Sequence, residues 1–205
     1  MLTRIWGRAG IGAVLAATLL SAAVHADGIT RPSSDVSTFN VAHEVTFQYP
    51  SSWDVALDSA HVTAVQSFGY LTGEAVDIDS PDGAASVLLV IRSDPRTPLQ
   101  DLQLLADTDA ADPTGHPNFR LISPPAATQV AGAESAATAE YVYAYPDGSL
   151  QRYFQLEASR GGIAYQLESV VSDAALSQYQ SQVEQILTSF QLLPPATPTT
   201  AASQP

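Results

Sequence analysis

Few residues in this chain are suited to chemistry, and their spacing narrows what that chemistry could be. Of the four histidines, His25 lies in a leader, which leaves His43, His61 and His116. None pairs with another at i+2, i+3 or i+4, so no local metal-ligand spacing exists. No G-x-S-x-G elbow occurs, and Gly132-Ala133-Glu134-Ser135 lacks the pattern. A serine hydrolase would need its site assembled from distant residues. The most suggestive acidic run is Asp77-Ile78-Asp79-Ser80-Pro81-Asp82-Gly83. Asp77, Asp79 and Asp82 resemble part of a calcium loop, because hard cations take carboxylate oxygens at alternating positions before a glycine turn. Pro81 occupies the third ligand position, however, the glycine is one place late and the distal glutamate is missing. The run therefore reads first as a hairpin turn with solvated aspartates, and second as a weak calcium site. Asp107, Asp109 and Asp112 form a looser acidic cluster with the same first reading.

Aromatic residues are the third candidate. Tyr141, Tyr143 and Tyr145 alternate on one face of one strand, with Tyr153 and Tyr165 nearby. Tyrosine has an apolar body and a polar tip. Such a row can line a groove for a sugar or a peptide, or can form the edge of a core.

These residues must be positioned by the stretch Ala137 to Phe190. Thr138 to Tyr145 alternates with period two, which predicts a strand. Pro146-Asp147-Gly148 is turn chemistry. After it, Leu150, Phe154, Leu156 and Ala158 share one face, with Gln151, Tyr153, Gln155 and Glu157 opposite. Arg152 falls on the apolar side near the turn, where its stem predicts snorkelling to solvent. Gly161-Gly162 turns the chain into a third strand carrying Ile163, Tyr165, Leu167, Ser169 and Val171. Ser172 or Asp173 can cap the helix that follows. In that helix Leu176, Tyr179, Val183, Ile186, Leu187 and Phe190 make an apolar stripe, with Gln178, Ser181, Gln182 and Gln185 facing away.

Upstream, Glu44 to Tyr49 predicts a strand, Asp54 to Leu57 a short one, and Trp53 folds back onto the core. Val62 to Ser67 is ambiguous. Tyr70 to Asp79 and Ala85 to Ser93 predict two strands joined by Ser80-Pro81-Asp82-Gly83. Val87 to Ile91 has no polar break, as in a strand buried on both faces. Thr97-Pro98-Leu99-Gln100 predicts a helix start with a capping box, and Leu99, Leu102, Leu105 and Ala106 its apolar face. Asp107 to Pro117 reads as a loop. Phe119 to Ile122 predicts a strand, and another begins near Thr128 after Pro124-Pro125. The fold class that follows is α+β: a mostly antiparallel sheet of about six to seven strands covered by two helices, an α–β–α sandwich.

Composition bounds the setting. The chain has no cysteine, and its formal net charge is −13. Disulfides, thiolate metal sites and lipid attachment at a lipobox cysteine are excluded. All basic residues are arginines. An acidic surface of this kind repels phosphate backbones, which argues against a nucleic-acid partner. Residues 1–26 read as a secretory signal: Arg4 and Arg8, a short apolar core, then Val24-His25-Ala26 as cleavage site. The apolar run is too short for a membrane span, so no stable span is expected after cleavage and the setting is secreted or periplasmic. Residues 27–42 read as a linker, 43–192 as the domain and 193–205 as a disordered tail. No cofactor is implied.

The opening Phe47-x-Tyr49-Pro50-x-x-Trp53 and the closing Ile186-Leu187-x-Ser189-Phe190 are similar to the two ends of PsbP-like domains. The likeness extends to secreted bacterial proteins of the LpqN type and to the Ran-binding Mog family, and covers His43 to Leu192. It implies an α–β–α sandwich. It also implies a non-enzymatic role, as an accessory or scaffold subunit bound to a protein complex outside the cytoplasm; the extrinsic subunit of photosystem II is the known example. The chain departs from that subunit in having no lysine, so a basic docking surface is absent. The motifs are aromatic and apolar, and no functional residue carries over. The alternatives are a calcium-dependent carbohydrate or peptide binder and a hydrolase.

Overall fold

Val87 to Ile91 carries no polar residue because both of its faces are covered. Val87, Leu89 and Ile91 pack into one core, and Leu88 and Val90 into another on the opposite side of the sheet. These five residues lie in β5 (Ala85–Ser93). The strand sits inside a seven-stranded antiparallel sheet whose spatial order is β3-β4-β5-β9-β8-β7-β6. The other members are β3 (Asp54–Leu57), β4 (Glu74–Asp79), β6 (Arg120–Thr128), β7 (Ser135–Ala144), β8 (Leu150–Arg160) and β9 (Ile163–Ser172). The computed structural model describes residues 36–41, 45–57, 74–113, 118–145 and 147–194. The expected signal, the three histidines outside it, Val62 to Ser67, Pro146 and residues 195–205 lie outside that set.

The central meander follows the sequence closely. β7 pairs with β8 over ten residues from Ser135↔Ser159 to Ala144↔Leu150, and β8 with β9 from Gln151↔Ser172 to Arg160↔Ile163. The β8–β9 loop is the pair Gly161-Gly162, with φ of 60° and 77°. Two consecutive left-handed residues match the twist of a tight hairpin, which is why both are glycine. Arg152 is tied across the hairpin to Glu140 at 3.1 Å rather than reaching freely into solvent.

One face of the sheet is covered by α2 (Leu176–Ser189) and by a small sheet of order β1-β2-β10. Tyr179, Val183 and Ile186 from α2, Phe190 just beyond it, Val45 and Phe47 from β2 (Val45–Pro50) and Leu192 from β10 (Gln191–Leu192) enter one apolar core with Phe154, Leu156 and Leu167. Trp53 folds onto this core as expected. Its Nε1 donates to Gln182 Oε1 at 3.0 Å, so Gln182 is buried rather than facing solvent. A buried indole N–H needs an acceptor, and the glutamine supplies it. Ser172 precedes a 3-10 turn, Asp173–Ala175, and gives no side-chain cap.

Two strands differ from the sequence reading, each with a clear cause. β1 (Val36–Val41) falls in the stretch expected as linker and pairs with β2, Phe39 opposite Phe47. β6 is one strand running through Pro124 and Pro125, not two strands. It is an end strand with register shifts on both sides of Ser123, and edges and bulges are where proline is tolerated. The loop between β6 and β7 touches β10: Leu192 N–H donates to Ala131 O at 2.9 Å. There Gly132 has φ of 80°, and an added Cβ would lie 2.1 Å from the Leu192 carbonyl oxygen.

The third layer is α1 (Pro98–Ala111), which lies on the other face against β6, β7 and β8. Its capping box is formed as predicted, Thr97 and Gln100 each bonding the other's backbone N–H. The helix continues to Ala111 through residues read as loop, supported by Gln103 donating to Asp107 and Thr108 to the Leu104 carbonyl. Leu99, expected on its apolar face, is exposed, while Asp101 and Asp109 are buried alongside Leu102 and Ala106. The architecture is an α–β–α sandwich.

Candidate functional site

The layer between α1 and the sheet is unlike an ordinary core. Strand alternation places Tyr153, Gln155 and Glu157 of β8 on this face, the one opposite Phe154, Leu156 and Ala158. On β9 the same alternation brings Gln166, Glu168 and Val170 here. Gln155 faces Glu168 across the ladder, and Glu157 faces Gln166. β5 contributes Arg92, and α1 contributes Asp101 and Asp109. Arg92, Asp101, Asp109, Gln155, Glu157 and Glu168 are all buried.

Two linked clusters result. In the first, the Arg92 guanidinium is shared. Its Nη2 lies 2.5 Å from Asp101 Oδ2 and 3.0 Å from Glu157 Oε2, and its Nη1 donates to Gln166 Oε1 at 2.5 Å. Asp94 Oδ2 is 3.5 Å from Arg92 Nε and 2.6 Å from Arg96 Nη2, and Arg96 Nη1 also reaches Asp101 Oδ1 at 3.0 Å. The Glu157 carboxyl is pushed up to about 8. Burial is the largest cause; Arg92 opposes it, and the neighbouring Asp101 adds to it. Asp94 is held below the usual carboxylate range: burial works against this, and the Arg96 bonds outweigh it.

The second cluster is aromatic. Tyr141 and Tyr153 stack with centroids 5.1 Å apart, and Tyr143 stands edge-on to both at 5.3 and 4.9 Å. Phe119 closes the group. Each hydroxyl has a partner. Tyr143 donates to Asp109 Oδ2 at 2.5 Å and Tyr141 to Glu168 Oε2 at 3.2 Å. The Tyr145 and Tyr153 hydroxyls lie 2.9 Å apart, and Tyr153 also donates to Gln151. Gln155 donates to Glu168. Burial raises the Glu168 carboxyl, against the Gln155 and Tyr141 bonds that lower it. Burial also drives the Tyr141, Tyr143 and Tyr153 hydroxyls well above the ordinary phenol range. These tyrosines are neutral donors, not bases.

The expected tyrosine row is thus real, but Tyr141 and Tyr143 are only 3% and 6% exposed, and Tyr145 is half-buried. They lie beneath α1 rather than lining an open groove, because Asp109 and Phe119 close over them. The expected calcium residues are not gathered. Asp77 and Asp79 share a face of β4, but Asp82 accepts from Ser80 and from the Ala84 N–H, and is hydrogen-bonded to Tyr179 in the α2 layer. Burial, with help from Asp79, raises Asp77 to about 6. Among the described residues no group of three or more His, Cys, Asp or Glu is placed to hold a metal ion. Ser135 Oγ pairs with Ser159 Oγ at 2.8 Å. The sequence reading missed Arg92, Asp101, Glu157 and Glu168. The available signal was the polar pairs Gln155/Glu157 and Gln166/Glu168 at period two, within strands whose other faces are apolar.

No protein-family profile matches the sequence, and no curated protein matches it. Solved structures do. The sandwich places the chain in the α+β class that includes cyanobacterial PsbP from Synechocystis. The match has a TM-score of 0.57 at 13% identity and covers 82% of this chain and 98% of that one. LpqN of Mycobacterium tuberculosis, described as involved in cell envelope biogenesis, superposes with a TM-score of 0.48 at 14% identity, over 78% of this chain and 91% of its own. The Saccharomyces cerevisiae Ran-binding protein Mog1p gives 0.48 at 8%, over 78% and 96%. The protein has a PsbP-like fold. Among the described residues no helix is long and apolar enough to cross a membrane.

Proposed function

We propose that this protein is a secreted or periplasmic binding protein that docks as an accessory subunit on an extracytoplasmic protein complex, and is not an enzyme. The observation that carries the reading is a set of exposed apolar side chains on two packed elements at one edge of the sheet. Leu121 and Ile122 on the end strand β6, and Leu99 and Leu104 on α1 packed beside it, are each more than a third exposed. Several exposed apolar side chains on elements packed against each other favour a protein partner. The signal-like residues 1–26 support the compartment, and the PsbP-like fold is compatible with an accessory role. The test is cross-linking of the tagged protein in its own envelope, followed by mass spectrometry, with Leu104→Ser and Ile122→Ser variants alongside. A single stoichiometric partner captured by wild type and lost from both variants supports the reading. Absence of any partner across several cross-linkers overturns it.

A further inference from the structure

α1 is seated by a contact that is complete only with a proton in it. Leu102 is the one large apolar side chain of the helix that is fully buried; Leu99 and Leu104 point outward. Beyond Leu102 and the smaller buried Pro98 and Ala106, the attachment is polar: Asp101 to Arg92 and Arg96, and Asp109 to Tyr143. The Glu157 side chain lies beneath it, fully buried, with its Oε2 and the Asp101 Oδ2 converging on the same Arg92 nitrogen at 3.0 and 2.5 Å. Two buried carboxylates crowded on one guanidinium nitrogen repel each other, and a proton on one of them relieves that repulsion. With both ionised, Glu157 Oε1 finds no N–H or O–H donor among the described residues.

We propose that α1 is a proton-dependent latch: a proton on the buried Glu157 carboxyl keeps the helix seated over the tyrosine layer, and its loss lets the helix lift and bares that layer. The groups facing Glu157 come from every packed element. β5 supplies Arg92, and the β5–α1 connection supplies Asp94 and Arg96. α1 supplies Asp101, β7 places the apolar Ala137 opposite Glu157, and β9 supplies Gln166, which is bonded to the same guanidinium; Glu168 and the Asp109–Tyr143 pair belong to the neighbouring cluster. The Arg92 cation is shared by Asp94, Asp101 and Glu157, so ionised Glu157 is one of three carboxylates on a single guanidinium, in a site where burial penalises the charged form. The Glu157 carboxyl, pushed up to about 8, places the release on the alkaline side of neutrality.

The test is hydrogen exchange of the full chain, corrected for intrinsic rates, with α2 as internal reference. α1 protection is expected to fall about tenfold or more between about pH 6 and pH 9 while α2 protection holds, and Glu157→Gln is expected to abolish the fall. Unchanged α1 protection in wild type, an equal fall in α1 and α2, or the same fall in Glu157→Gln each overturns the latch. If Glu157→Gln does not fold, carboxyl carbon NMR of wild type decides. A glutamate that titrates in the alkaline range together with the α1 amide shifts supports the proposal. Glutamates that all titrate in acid refute it.

Discussion

The two helices are each 14 residues long and cover opposite faces of one sheet, yet they are held by different chemistry. Under α2 lie Tyr179, Val183, Ile186 and Phe190 against Phe47, Leu156 and Leu167. Under α1 lie Arg92, Glu157, Glu168 and a stack of tyrosines. Apolar burial is non-directional and indifferent to pH, and it stabilises by roughly 1.5–3 kcal/mol per large side chain. A buried ionic network can break even at best, since desolvation offsets its Coulombic gain. The α2 face therefore holds the fold together. The α1 face gives up stability for a contact that depends on charge state, which is what an element that must move would need.

The contrast can be broken most severely by one substitution on each side. Phe190→Ala should cost about 3–5 kcal/mol, read by denaturant unfolding, because the cavity between α2 and β2 cannot close. Arg92→Ala should cost a similar amount, about 3–5 kcal/mol, by leaving buried carboxylates uncompensated. The two differ in their remedy. Replacing the cluster with Arg92→Met, Asp101→Leu and Glu157→Leu together should recover most of the loss, whereas no polar residue at position 190 should do so.

Acidity sharpens the comparison next. Glu157 rises from 4.5 to about 8 on folding, so the folded chain holds a proton that the unfolded chain has released. Its stabilisation is full below about pH 4.5 and is lost as pH rises through about 8. Asp94 works in the opposite sense: its depressed value contributes above the unfolded 3.8 and is lost in acid. Between about pH 5 and pH 9 the melting temperature of wild type should therefore fall relative to Glu157→Gln. A constant difference would show that Glu157 does not change its proton in this range. Tyr143→Phe should cost about 1–3 kcal/mol, by weakening the hydrogen bonding of the buried Asp109 carboxyl, with no such change for Tyr49→Phe, a half-buried ring packed against the other core. Smallest of all, Leu104→Ser should change stability by no more than about 0.5 kcal/mol. A larger loss would mean that this leucine belongs to the core and not to a docking margin.

Much of the fold was legible because local rules and tertiary demands agree. Thr97 and Gln100 form their capping box with atoms three residues apart, and the Gly161-Gly162 hairpin needs only its own two dihedral pairs. Period two in β7, β8 and β9 separates Phe154 from Gln155 and Leu156 from Glu157 without reference to anything distant. β1 and β10 were not legible, because each is a strand only through its pairing with β2. Gln182 reads as a surface residue until Trp53, 129 positions away, presents an N–H to it. The tyrosine row was visible as a row, but whether it faced solvent depended on where α1 came to rest.

By itself the sequence determined which residues share a face, where the chain turns and which strand is covered on both sides, since those follow from backbone geometry and the periodicity of side chains. It also determined the acidic charge and the absence of thiols. Only the tertiary structure decided that Arg92, Asp101 and Glu157 meet. They come from a strand, a helix and a more distant strand. Nothing local marks a carboxyl as buried, because burial of a charge is tolerated only where a partner from elsewhere in the chain is brought to it.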